Sequence, residues 1–181
     1  ASTNWNTGAN WSGGSVPGAT DTVTIPTAGV TNEPTCSTTN TVDTLVVQSG
    51  RTLTITTGGF LTVDNTPNSI ASGGTVVING TGRLDMTEAT NGTCITVTGI
   101  LQIDAGTFNI TDAGNDLVVA ATGFFDVNGG TSTIGQTITL QGGATGGRMD
   151  VDGGTVTCNG SLSIDGNAAD GLELAGAYGW A

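Results

Sequence analysis

Apolar residues recur along this chain in short alternating runs of three to five residues, each closed by Gly, Asn or Asp. Leu53-Thr-Ile55, Leu61-Thr-Val63, Leu84-Asp-Met86 and Leu162-Ser-Ile164 show the pattern. Alternation over so few residues predicts short strands with one buried face. No ten-residue stretch keeps apolar residues at i, i+3, i+4 and i+7, and the abundant Thr and Gly are poor helix formers. The pattern predicts an all-β protein.

The runs also repeat. Leu101 to Ile110 realigns with Phe125 to Ile134 and with Met149 to Cys158, a period of 24 residues. Earlier strands, Leu117-Val-Val119 and Ile138-Thr-Leu140, precede the second and third copies, so a unit holds three short strands and three turns. Less regular units extend the series in both directions. A unit this small cannot bury its apolar side alone, but stacking units about 4.8 Å apart pairs each strand with its counterpart in the next. The expected fold is a single-chain parallel β-helix, a β-solenoid with three short strands per rung and about six rungs. Residues 1–22 read as an irregular N-terminal cap or assembly segment and residues 23–181 as the solenoid. A β-sandwich also explains short strands, but gives no reason for Asp104-Ala-Gly, Asn128-Gly-Gly and Asp152-Gly-Gly to recur at constant spacing.

Alternation assigns faces. Leu101/Ile103, Phe125/Val127 and Met149/Val151 point inward, as do Phe108/Ile110, Ser132/Ile134 and Val156/Cys158. The residues between the first set form one exposed, mostly acidic column of Asp85, Gln102, Asp126, Asp150 and Glu173. The same register places Cys94 and Cys158 in one interior column, as buried thiols too far apart to bridge. Cys36 precedes the regular rungs and has no assigned place.

Composition narrows function. The chain has 181 residues with 31 Gly, 35 Thr, no His and no Lys, and its formal net charge is −12. Three scattered cations, Arg51, Arg83 and Arg148, cannot neutralise a phosphate backbone, so no nucleic-acid partner is expected. Chemistry resting on His or Lys is excluded. No apolar stretch approaches the roughly 18 residues of a membrane span. The chain opens on Ala1-Ser2-Thr3, which reads as a processed, secreted protein, extracellular or at the cell surface.

The first 26 residues differ in composition, holding two of the three Trp and two of the four Pro. Trp5, Trp11, Pro17 and the run Asp21-Thr-Val-Thr-Ile25 resemble the leading segment of right-handed β-helix regions in secreted bacterial surface proteins of the adhesin type. Leu45-Val-Val-Gln-Ser-Gly50 resembles the rungs that follow it. The resemblance implies a structural or adhesive role outside the cell and supplies no catalytic residues.

Three constellations suggest chemistry. The acidic column resembles the carboxylates of β-helix polysaccharide hydrolases, but the aromatics and basic groups of a sugar cleft are nearly absent, so no enzyme activity is expected. Asp126-Val-Asn128-Gly129 and Asp150-Val-Asp152-Gly153 resemble fragments of calcium loops, but complete neither known loop pattern and read first as Asx turns that close strands; no metal or cofactor is assigned. Thr107, Thr131/Thr133 and Thr155/Thr157 resemble the Thr arrays of some ice-binding solenoids. The expectation is a subunit of a surface filament or layer that assembles with itself head to tail, with Trp5, Trp11, Leu172, Leu174, Tyr178 and Trp180 at the contact. The alternative is an adhesive or ligand-binding module of a longer surface protein.

Overall fold

A computed structural model describes residues 2–143, 145–165 and 171–174, the last four by their backbone and the Leu172 side chain. Strands follow one another around a coil. The first rung holds β1 (Thr22–Ile25), β2 (Thr35–Cys36) and β3 (Thr39–Val42), and the second β4 (Thr44–Val47), β5 (Thr52–Ile55) and β6 (Phe60–Val63). The third has β7 (Asn68–Ile70), β8 (Thr75–Ile78) and β9 (Arg83–Met86), and the fourth β10 (Gly92–Val97), β11 (Ile100–Ile103) and β12 (Thr107–Ile110). The fifth has β13 (Asn115–Val119), β14 (Phe124–Val127) and β15 (Thr131–Ile134), and the sixth β16 (Ile138–Leu140), β17 (Arg148–Val151) and β18 (Thr155–Cys158). A further turn contributes β19 (Leu162–Ile164) and β20 (Gly171–Leu174).

Every third strand stacks in parallel, giving three sheets. The first face runs β1-β4-β7-β10-β13-β16-β19, the second β2-β5-β8-β11-β14-β17-β20 and the third β3-β6-β9-β12-β15-β18. The chain is thus a β-solenoid of about six turns with three strands per rung, as the repeat predicts. The 24-residue step holds from Phe108 to Ser132 to Val156, but Val23 pairs with Leu45 and Asn68 with Ile95, so earlier rungs vary in their turns.

Inward positions form continuous apolar columns. On the second face Cys36, Ile55, Ile78, Ile103, Val127 and Val151 stack one above another, all buried. Each such aliphatic side chain removed from water stabilises the fold by about 1.5–3 kcal/mol. Phe108 and Phe125 meet edge to face across the interior at 6.2 Å. Outward Phe60 and Phe124 are each covered by an arginine of the next rung, Arg83 at 4.8 Å and Arg148 at 4.9 Å from the ring centre.

Two column assignments are corrected. Asp85 lies in β9 on the third face, between Thr62 and Asn109, and not in the second-face acidic column. Asn68-Ser-Ile70 is itself a rung strand, which its inward Asn hides from an apolar pattern and which shifts the strand count by one. Asp85 is also buried, accepting from Arg83 Nε at 2.8 Å and Asn109 Nδ2 at 2.9 Å. Cys94 lies on the first face at a register shift between Thr93 and Ile95, so it shares no column with Cys158, which stacks on Ile134. Ile95 and Val97 take the regular inward positions there, and Cys94 is buried beside them. Cys36 belongs to β2 and is buried, its thiol donating to the Thr38 carbonyl at 3.3 Å.

The segment before β1 packs on the first rung. Asn4 bridges in parallel to Thr35, extending the second face by one position below β2. Trp5, next in sequence, is 1% exposed and belongs to the core. Trp11 packs on it at 4.7 Å and donates from its indole nitrogen to the Trp5 carbonyl at 2.7 Å.

Candidate functional site

On the second face Gln102, Asp126, Asp150 and Glu173 occupy one outward column, pairing in register from β11 through β14 and β17 to β20. The Glu173 side chain lies outside the described residues. At the adjoining turn, Asp104, Asn128 and Asp152 follow the same strands and are exposed. Amides interleave with the carboxylates: Gln102 Nε2 donates to Asp104 at 2.7 Å, and Asn128 Nδ2 donates to Asp104 at 3.1 Å and Asp126 at 3.2 Å. Burial pushes the Asp126 carboxyl up and the Asn128 amide pulls it back, while Asp150, Asp104 and Asp152 raise it further.

This surface is a flat sheet and not a cleft. A depression lined by Asn4, Trp11, Pro26, Val30 and Pro34 lies instead at the first rung, between the N-terminal segment and the β1–β2 connection. Among the described residues, no group of three or more His, Cys, Asp or Glu is placed to hold a metal ion. The arrangement carries a ladder of like charges about one strand spacing apart.

The residues expected at a self-association contact separate into three groups. Trp5 and Trp11 are spent on the chain's own first rung, Trp5 wholly and Trp11 in part. Trp5 is therefore not exposed at a contact as expected, while Trp11 keeps part of its surface exposed. Leu172 is half-buried in β20 and packs on the core. Leu174 belongs to the same strand, but its side chain lies outside the described residues, as do Tyr178 and Trp180 entirely.

Burial falls toward the last described strands. Val156 and Cys158 point inward in register but are only half-buried, and β19 exposes Leu162 at 36% and Ile164 at 46%. The first face contributes a different surface. Thr24, Val46, Ser69, Thr96, Val118, Thr139 and Ser163 form one outward column without a charge.

Sequence reasoning missed two buried corner amides and a buried acid. Asn68 is fully engaged: its carbonyl oxygen accepts from the Leu45 amide at 2.8 Å, and its nitrogen donates to the carbonyls of Asn65 at 2.7 Å and Cys94 at 3.0 Å. Asn115 donates to the Glu88 carbonyl, and Glu88 is buried with it. The available signal was an Asn immediately before an apolar strand, a position where an inward amide can replace a ladder hydrogen bond.

The architecture defines the protein's class as a single-chain parallel β-solenoid with three strands per rung. Within that class the chain belongs to the family described as Domain of unknown function (DUF8693), whose family model matches residues 1–99. That match spans the N-terminal segment and the first three rungs and ends just beyond β10. No curated protein and no solved structure matches the chain. No helix among the described residues is long and apolar enough to cross a membrane.

Proposed function

We propose that this chain is a non-enzymatic structural module of an extracellular or cell-surface assembly, a stiff rod that joins a second copy of itself through the open end of its solenoid. The observation that carries this reading is the contrast between the two ends. Trp5 seals the first rung at 1% exposure, whereas β19 leaves Leu162 and Ile164 at 36% and 46%. Uncovered strand edges with apolar side chains are templates for pairing with another chain. Joining the open end to the capped start of the next copy gives the filament, while joining open end to open end about a two-fold gives a closed dimer. The acidic second face keeps neighbouring rods from stacking side by side, so association is confined to the end.

Light scattering and electron micrographs of the purified chain test this. Association should grow with concentration, and Leu162→Asp with Ile164→Asp should give a monomer with an unchanged β spectrum. A wild-type chain that stays monodisperse and monomeric at millimolar concentration overturns the reading.

The uncharged first-face column favours a second reading, an adhesive module that lies flat against an insoluble surface. Thr96→Lys should then abolish co-sedimentation with particulate polysaccharide, or thermal hysteresis if the surface is ice, without altering self-association.

A further inference from the structure

At the corner between the third and first faces, Glu88 follows β9 and Asn115 opens β13 one rung above. Both are enclosed, at 3% and 0% exposure. Glu88 Oε1 accepts from the Thr90 amide at 2.6 Å, and Asn115 Nδ2 donates to the Glu88 carbonyl, which fixes the orientation of the Asn115 amide. Glu88 Oε2 and Asn115 Oδ1 are left buried with no hydrogen-bond partner. An ionised carboxylate and an amide oxygen are both acceptors and cannot satisfy each other.

The corner is also anionic. Asp112 follows β12 at the place that Glu88 takes after β9, since Met86 and Ile110 pair in register. The arginines are engaged elsewhere: Arg51 with Glu33, Arg83 with Asp85, and Arg148 over Phe124. A buried, unpaired carboxylate is strongly penalised. A water molecule can donate to an orphan oxygen but leaves the charge unanswered. A hard cation meets both requirements at once, because such ions take carboxylate and amide oxygens and complete their shell with water.

We propose that Glu88 Oε2 and Asn115 Oδ1 are protein ligands of a bound divalent cation, calcium or magnesium, at this corner. An open depression lined by Asn91, Gly92, Asp112, Gly114 and Gln136 lies along the same corner of the solenoid. This site is distinct from the acidic second face, where Gln102 and Asn128 donate to Asp104 and Asp126 and one Asp150 oxygen is left without a partner.

The test uses the whole chain, dialysed against chelator and titrated with calcium chloride and then magnesium chloride, by calorimetry and thermal melting. One ion should bind per chain and raise the melting temperature. Glu88→Gln should weaken binding at least about tenfold, and should melt higher than the metal-free wild type, because it removes the unanswered buried charge. Asn115→Asp should tighten binding by adding a second carboxylate, and Asp126→Asn should leave it unchanged. The proposal is overturned if the wild type neither binds nor is stabilised by either ion at millimolar concentration. It is equally overturned if binding survives Glu88→Gln but is lost in Asp126→Asn.

Discussion

Asp126 is a carboxylate held where its charge is unwelcome. Half-buried on the second face, it is pushed up chiefly by burial and then by Asp150, Asp104 and Asp152, against the pull of the Asn128 amide. A native-state value above the ordinary 3.8 means that the folded chain binds this proton more tightly than the unfolded chain does. Stability therefore falls as pH rises through the raised value, and the penalty stands in full at neutral pH. Asp126→Asn keeps the shape and the contact with Asn128 while removing the charge. It should raise the melting temperature at pH 7 and low salt by about 1–2 °C, the scale of a surface substitution in a domain of this size. The gain should shrink in high salt and vanish as pH falls below 3.8, where the wild-type carboxyl is protonated in both states. A variant that melts lower than wild type at pH 7 would mean that the carboxylate is a needed hydrogen-bond acceptor and not a burden.

The strands themselves were legible because their sequence follows one rule, apolar in and polar out, and β12, β17 and β18 obey it without exception. The rule fails where a side chain does something other than pack. Asn68 and Asn115 turn inward to bond main-chain groups of neighbouring rungs, so β7 and the start of β13 do not look apolar, and Asp85 was counted on the wrong face as a result. Glu88 was invisible for the same reason, since nothing in Thr87-Glu-Ala-Thr90 marks an acid as buried. The turns were legible as glycines but not as contacts. Gly130 has φ +73°, and a Cβ there would stand 2.3 Å from the carbonyl oxygen of Gly106 in the rung below. Gly50 has nearly the same φ, +72°, with nothing within 4 Å. Gly50→Ala should thus cost only the left-handed strain, about 1–2 kcal/mol. Gly130→Ala meets unyielding backbone as well, and its urea midpoint should fall clearly further. Equal losses at the two positions would show that the turn column tolerates a wider rung spacing.

The whole molecule is a stack in which each rung touches only its neighbours, so damage at one end need not reach the other. Trp5 is the place to test this. It follows the Asn4–Thr35 bridge and so lies beneath Cys36, covering the first-rung core of Val23, Ile25 and Val42. Truncating a buried tryptophan to alanine costs about 3–5 kcal/mol when the surrounding structure must stay closed. In a stack the first rung can instead open while the rest holds, and the chain carries its own reporters of that difference. Cys36 is buried in the first rung and Cys94 in the fourth, and burial raises both thiols. In native wild type neither should react readily with a thiol reagent, because each is shielded and mostly protonated. In Trp5→Ala, Cys36 should react at least about tenfold faster while Cys94 stays protected, the mark of an end that frays by local opening. If Cys36 and Cys94 gained reactivity together, the solenoid would be one cooperative unit and Trp5 a keystone for all of it. If neither changed, Trp5 would not be what seals the first rung, and the contrast between a closed start and an open end would lose its physical basis.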